Sequence, residues 1–242
     1  MNDRFDSTAH YRALDAAHHL HPFSDMGALN CAGSRVIVKA EGVYLWDSEG
    51  KRIIDGMAGL WCVNVGYGRR ELADAALKQM RELPYYNTFF KTTHPAVIEL
   101  SALLAELAPA RFNRFLYCNS GSEANDTALH AVHRYWSIKG KPDKRYLIAR
   151  RNAYHGSTIA GATLGGMSYM HEQMPSKMEH VAHIDQPYWF GEGGPTDADA
   201  FGLSRARQLE EKILELEAEN VAAFIGEPFQ GSGGVIFPPS TY

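Results

Sequence analysis

The chain has 242 residues, 45% hydrophobic and 21% charged, which is close to the globular average and long enough for one large core or two modest ones. Its 24 basic and 28 acidic side chains give a net charge of −4 with both signs scattered, so no basic footprint for nucleic acid is present. Three widely spaced cysteines without a C-x-x-C, no apolar leader in MNDRFDST and no run near the ~20 apolar residues of a membrane helix predict a soluble, disulfide-free, cytoplasmic chain.

Residues 1–34 read as irregular, with Pro22 breaking the HHLHPFSD stretch. RVIVKAEGVYLWDSEGKRIIDG then predicts short strands around a DSEG turn and a small antiparallel sheet. Two helices follow. RRELADAALKQMREL puts Leu72, Ala75, Ala76, Gln79, Met80 and Leu83 on one face, and HPAVIELSALLAEL has Pro95 near its start, where a missing N–H costs least. From Arg114 strands and helices alternate. RFLYCN is an expected strand, EANDTALHAVHRYW a helix with Ala124, Ala128, Ala131, Val132 and Tyr135 on one side, and KRYLIAR and MEHVAHID are further strands. After the Gly/Pro-rich QPYWFGEGGPTD comes a helix, SRARQLEEKILELEAEN, with Leu209, Ile213 and Leu216 inward, and then the strand VAAFIGEP. Alternation of this kind, with apolar strands, predicts an α/β fold with a largely parallel sheet covered on both faces.

Three polar clusters fall where those strands end. In FLYCNSGSEAND, Ser120-x-x-Glu123 matches a capping box, and the N–H groups of Gly121 and Ser122 at the positive end of a helix form a cradle for an anion such as phosphate. A merely well-capped helix accounts for the same residues. Neither G-x-G-x-x-G nor a Walker Gly-Lys-Ser/Thr is present to explain the turn. In ARRNAYHGSTIAGATLGG, Tyr154, His155 and Gly156 sit at the C-terminal edge of the sheet, where open α/β proteins bind ligands. Closing a turn is the plainer role for that pair. In AAFIGEPFQGSGG, Glu227 ends an otherwise uncharged strand, with Pro228 behind it, and can either orient a cationic group or be a solvated turn residue.

SGSEANDTALHAVHRYW, YHGST and IGEPFQGSGG, in that order and spacing, resemble the class III aminotransferases, pyridoxal-phosphate (PLP) enzymes of the aspartate-aminotransferase-like fold, fold type I. VYLWDSEGKRIIDGMAGLWCVNVGYG and YYNTFFKTTHP are similar to the family's small-domain and dimer-interface segments, so the resemblance runs from about Phe23 to Tyr242. Within that family the sequence most resembles the ω-amine:pyruvate and polyamine:pyruvate transaminases.

The resemblance implies a cofactor, pyridoxal 5'-phosphate, with its phosphate on Ser120, Gly121 and Ser122. Tyr154 would stack on the ring with His155 beside it, and Glu227 would lie beneath, in the network around the ring nitrogen. Phe23, Trp61, Phe89 and Tyr154 would line an aromatic, amine-accepting pocket. Phe89 and Ser232 would reach a partner subunit, in a homodimer or dimer of dimers. It implies residues 1–66 as an N-terminal segment with part of a small α+β domain, and 67–242 as a large, mostly parallel PLP-binding domain that is C-terminally incomplete. The Schiff-base lysine and the aspartate facing the pyridinium nitrogen would lie beyond Tyr242; none of the nine lysines present has a matching context. The expected activity is therefore amino transfer from a primary amine, diamine or ω-amino acid to a keto acid such as pyruvate, with the 242 residues inactive by themselves. Aminomutation or decarboxylation on the same cofactor, or a non-catalytic PLP-binding remnant, are the alternatives. No metal, nucleic acid or membrane partner is expected.

Overall fold

The computed structural model describes residues 7–242; residues 1–6, on which part of the reading of MNDRFDST rests, lie outside the described residues. The chain divides into two compact units, Met1–Glu106 and Leu107–Tyr242.

The first unit opens with two helices, α1 (Thr8–His18) and α2 (Met26–Ala32), where an irregular stretch was expected. The starts are capped locally: the Ser7 hydroxyl accepts from the His10 N–H at 3.3 Å and Asp25 Oδ1 from the Ala28 N–H at 3.0 Å. Pro22 falls in the turn between them, where it interrupts no helical bond. Next come β1 (Ile37–Glu41), β2 (Tyr44–Asp47) and β3 (Arg52–Ile54), an antiparallel sheet in the order β1-β2-β3, as predicted. Buried Asp47 builds the DSEG turn, its Oδ1 accepting from the N–H groups of Glu49 (3.1 Å) and Lys51 (2.9 Å). A single turn, α3 (Ala58–Trp61), precedes α4 (Arg70–Glu82) and α5 (Pro95–Leu107). The last two match the periodicity, yet neither buries a residue fully; Leu72 and Met80 on α4 and Ile98 and Leu103 on α5 are exposed.

The second unit is built on a parallel sheet of β4 (Tyr146–Arg150), β5 (Val181–Ile184) and β6 (Val221–Phe224), in the order β5-β4-β6. Central β4 is the uninterrupted apolar run of the sequence, and Ile148 and Ala149 have no accessible surface, as expected for a strand covered on both faces. Around it lie α6 (Gly121–Ile138), α7 (Ile159–Leu164), α8 (Ser168–Glu172), α9 (Trp189–Glu192) and α10 (Ala198–Glu215). Leu129 of α6, Leu147 of β4 and Leu164 of α7 form the core, with Val132, Val181, Ala223 and Ile225 packed on it.

Three expectations are corrected here. RFLYCN is not a strand: no described residue supplies a ladder to residues 114–119, and a strand exists only by its partners. The face of α6 that turns inward carries Leu129, Val132 and Trp136, whereas Ala124, Ala128, Ala131 and Tyr135 are exposed. The larger side chains remove more apolar area from water than three alanines can, and the Trp136 indole N–H also reaches the Ala222 carbonyl of β6 at 2.9 Å. Helix α10 begins six residues before Ser204, because Asp197 Oδ2 accepts from the N–H groups of Asp199 and Ala200, both at 3.1 Å. Its Leu209, Ile213 and Leu216 are half-buried, and Phe201 and Gly202 are the residues it buries fully.

Candidate functional site

The N-terminus of α6 is a capped and partly unfilled donor array. Ser120 adopts extended backbone, and its Oγ accepts from the Glu123 N–H at 3.1 Å. The Glu123 carboxylate folds back onto the Asn119 N–H at 2.8 Å, one residue before the position of an ideal capping box. Gly121 and Ser122 are the first two helical residues, so their N–H groups have no intrahelical acceptor, and none is found among the described residues.

A second segment closes one side of this array. After β4 the chain turns through Tyr154–Thr158 and is tied to α6 by three hydrogen bonds. The Asn125 side-chain amide donates to the His155 carbonyl (2.7 Å), the Ser157 N–H to Ser122 Oγ (3.1 Å), and Thr158 Oγ1 to Asp126 Oδ1 (2.9 Å). Gly156 makes the approach possible. Its φ is +123°, and a Cβ there would stand 2.5 Å from Ser122 Oγ and 2.9 Å from Ser122 Cα.

The third segment is the loop after β6. Glu227 Oε1 accepts from the Tyr154 N–H (3.1 Å) and Oε2 from the Gly231 N–H (3.0 Å), so the carboxylate clamps two loops at the strand ends and is not a solvated turn residue. Arg150, the last residue of β4 and only 2% exposed, donates through its guanidinium to the Glu227 carbonyl. Gln230 is wholly buried and donates to the Arg151 carbonyl at 3.0 Å, while Asn152 donates to the Gly233 carbonyl at 2.7 Å.

His155 lies in the middle of this construction, 6% exposed, with its Nε2 buried and lacking a hydrogen-bond partner. Burial depresses its pKa below the usual imidazole value; the Glu227 carboxylate opposes that shift, and Arg150 and His183 add to it. The ring is therefore neutral at physiological pH. Tyr154, half-buried, packs against a cluster of Ala162, Met167 and Met170. The second unit thus brings together Ser120, Gly121, Ser122, Tyr154, His155 and Glu227 at the C-terminal edge of one parallel sheet. Arg150, Asn125, Asp126 and Thr158 belong to the same construction and were not singled out by sequence. The one available signal was Arg150, a charge closing the apolar run YLIAR.

Phe23, Trp61 and Phe89 belong to the first unit and are exposed there, at 66%, 53% and 71%. Trp61 ends a left-handed turn in which Ala58, Gly59, Leu60 and Trp61 have φ of 47°, 61°, 62° and 70°. One carboxylate holds that turn: Asp55 Oδ2 accepts from the Gly59 N–H and from the Tyr67 hydroxyl, both at 2.7 Å, and Oδ1 from the Met57 N–H at 3.2 Å. Cys31, Cys62 and Cys118 are all free, and among the described residues no helix is long and apolar enough to cross a membrane.

Comparison with known proteins gives a consistent picture. The family model described as aminotransferase class-III matches residues 28–242. A putrescine–pyruvate aminotransferase from Pseudomonas aeruginosa is 58% identical over 235 residues, covering 97% of this chain and 52% of the relative. A diaminobutyrate–2-oxoglutarate transaminase from Halomonas elongata is 40% identical, covering 87% of this chain and 46% of its own length. Among solved structures, an (S)-enantioselective ω-transaminase from Thermomicrobium roseum superposes with a TM-score of 0.95 at 41% identity, over 99% of this chain and 53% of that one. An ω-transaminase from Pseudomonas jessenii, solved in complex with PMP, gives 0.89 at 36% identity, over 96% of this chain and 51% of that one. The chain spans about half the length of the curated relatives it matches.

Proposed function

We propose a function from one premise: the chain belongs to the class III aminotransferase family. The whole protein transfers an amino group from a primary amine, diamine or ω-amino acid to a keto acid such as pyruvate. The observation that carries this reading is the donor array of Gly121 and Ser122, closed by the Tyr154–Thr158 turn and clamped by Glu227 at the sheet's C-terminal edge. Likeness to a putrescine–pyruvate aminotransferase favours amines and diamines as donors over aminomutase or decarboxylase chemistry.

The residues present fit PLP. Two unengaged helix N–H groups and the hydroxyls of Ser120 and Ser122 suit its phosphate. Bound there, the cofactor supplies an aldehyde that accepts the amino group and a ring that withdraws electrons. This chain's own part is to bind and orient. Tyr154, backed by Ala162, Met167 and Met170, offers a fixed aromatic face. His155 flanks it as a neutral ring, and Glu227 holds the two loops in register, from where its charge would join the network around the cofactor's ring nitrogen. Phe23, Trp61 and Phe89 form the amine pocket of the assembled enzyme, a cytoplasmic homodimer or dimer of dimers in which Phe89 and Ser232 reach the partner's site. In the whole enzyme the domain boundary falls near residue 66, and residues 67–242 belong to the PLP-binding domain. The lysine and the aspartate of the reaction are supplied from beyond Tyr242, so the 242-residue chain alone is inactive.

The test is the full-length protein with PLP, pyruvate and a panel of donors. Alanine formation from putrescine and arylalkylamines is expected. Alanine formed only from α-amino acids, or none from any donor, would overturn the assignment. The 242-residue chain assayed in parallel should show no turnover.

A further inference from the structure

We propose that Asp15, His19 and His21 form a binding site for a divalent transition-metal ion of the zinc class. The proposal is independent of the amine-transfer reading. Asp15 lies in the last turn of α1 and His19, four residues on, is the residue that caps it, its N–H donating to the Asp15 carbonyl. Beyond the helix the chain doubles back and lays the His21 ring against the same carboxylate. His19 Nδ1 is 3.0 Å from Asp15 Oδ1, and His21 Nε2 is 2.9 Å and 3.0 Å from Oδ1 and Oδ2. The two imidazoles lie with centroids 4.2 Å apart, and one ligand atom from each of the three residues falls within 4.8 Å of the others.

Zinc bonds of ~2.0–2.1 Å to nitrogen and oxygen set tetrahedral donors roughly 3.3 Å apart, so turning exposed His19 slightly is enough to seat an ion. Two neutral imidazoles and one carboxylate leave a coordination position for water, and suit zinc, nickel or copper rather than magnesium or calcium, which require oxygen ligands. Ser34 lines the same cleft as Asp15, where its hydroxyl can serve the carboxylate as an outer-shell partner. The cluster opens into a cleft of ≈ 420 Å³ lined by Tyr11, Ser34 and Arg35 among others, which gives an ion and its water a route in. Because Arg35 is cationic, the charge of Asp15 is indispensable to the site. An ion held here would clip the end of α1 to the turn before α2, which carries Phe23 at φ 50°.

The experiment is calorimetric titration of ZnCl₂ into untagged, chelator-stripped full-length protein, with MgCl₂ as the comparison. One zinc per protomer is expected beyond what the D15N/H19A/H21A triple variant retains, with no uptake of magnesium. Single variants H19A, H21A and D15N should each weaken zinc binding by about tenfold or more, whereas H18A, next in sequence but outside the cluster, should leave it unchanged. His19 is largely exposed, so H19A keeps its fold and reads out the ligand alone. Zinc binding by H19A equal to that of the parent, or by the parent equal to that of the triple variant, would overturn the proposal.

Discussion

At Gly156 a single hydrogen atom separates a working contact from a collision. An alanine there would need a φ of +123° and would press its methyl into Ser122 at the mouth of the donor array. G156A in the full-length protein should weaken PLP binding by about tenfold or more, read by fluorescence titration, while G194A, at an exposed glycine that is also left-handed (φ +53°) but has nothing within 4 Å, should not. Glu227 poses the opposite problem, a carboxylate with both oxygens occupied by backbone N–H groups. E227Q presents an NH₂ to one of those donors and should lose about 1–3 kcal/mol of stability in denaturant titration. His155 sets the pH dependence. With its folded pKa depressed below 6.5, the unfolded chain takes up the proton first, so stability is full above that value and falls as the pH drops below it. His183, depressed chiefly by its own burial, acts in the same sense. Denaturation midpoints should therefore decline from pH 7.5 to pH 5.5, and H155Q should flatten the slope in part; an unchanged slope would show that His155 takes up its proton equally in the folded and unfolded states, with no depression of its pKa. The residues of this site that sequence made legible act locally, like Ser120 capping Glu123, or stand out by contrast, like Glu227 after an uncharged strand. Asn125 and Arg150 were hidden because their partners lie 30 and 77 residues away.

Among the elements, the left-handed turn Ala58–Trp61 is the one whose geometry is least expected from its residues. Left-handed backbone costs about 1–2 kcal/mol for each residue carrying a Cβ, and Ala58, Leu60 and Trp61 all carry one. The turn persists because Asp55 gathers the N–H groups of Met57 and Gly59 and the Tyr67 hydroxyl on one carboxylate. A Cβ on Gly59 would meet Val63 at 2.7 Å and the Tyr67 hydroxyl at 2.9 Å. If Trp61 lines the amine pocket, G59A and D55N should raise KM for bulky amines and lower kcat/KM by about tenfold or more, with PLP affinity unchanged. Equal loss for every donor together with loss of PLP would instead mark a general folding defect. Elsewhere the elements were legible wherever one local rule decided them. β4, β5 and β6 are short apolar runs between turns, and α4 and α5 carry full helical periods. RFLYCN has the composition of a strand but no ladder, and composition carries no information about partners. The inward face of α6 shares only Val132 with the row of small residues that the sequence shows; Leu129 and Trp136 complete it, because large side chains decide burial by area. Capping residues Ser7 and Asp25 were the overlooked signal for α1 and α2.

Taken as a whole, the molecule displays apolar surface that ordinarily is covered. Leu72, Leu77 and Met80 stand exposed on α4, Ile98, Leu100 and Leu103 on α5, and Leu116, Phe224 and Phe237 in the second unit. Single exposed leucines are unremarkable, but rows of them along a helix face mark surfaces that bind something. The sheet of the second unit adds a further source of association, since among the described residues β5 and β6 each pair with no strand but β4 and so present outer edges without a strand partner, although the Val221 and Ala222 carbonyls of β6 are taken by Lys144 and Trp136. Hydrophobic rows recruit other apolar surface without direction, whereas strand edges recruit other strands in register, and both act at once here. The 242-residue chain expressed by itself should therefore bind a hydrophobic-surface dye strongly and elute in light-scattering chromatography as concentration-dependent multimers. Full-length protein under the same conditions should bind little dye and run as one species. Lysine substitutions at Leu72 and Met80 should reduce dye binding by the short chain without restoring a single species, because the strand edges remain. A short chain that elutes as a dye-silent monomer would show that these faces are closed within the 242 residues themselves.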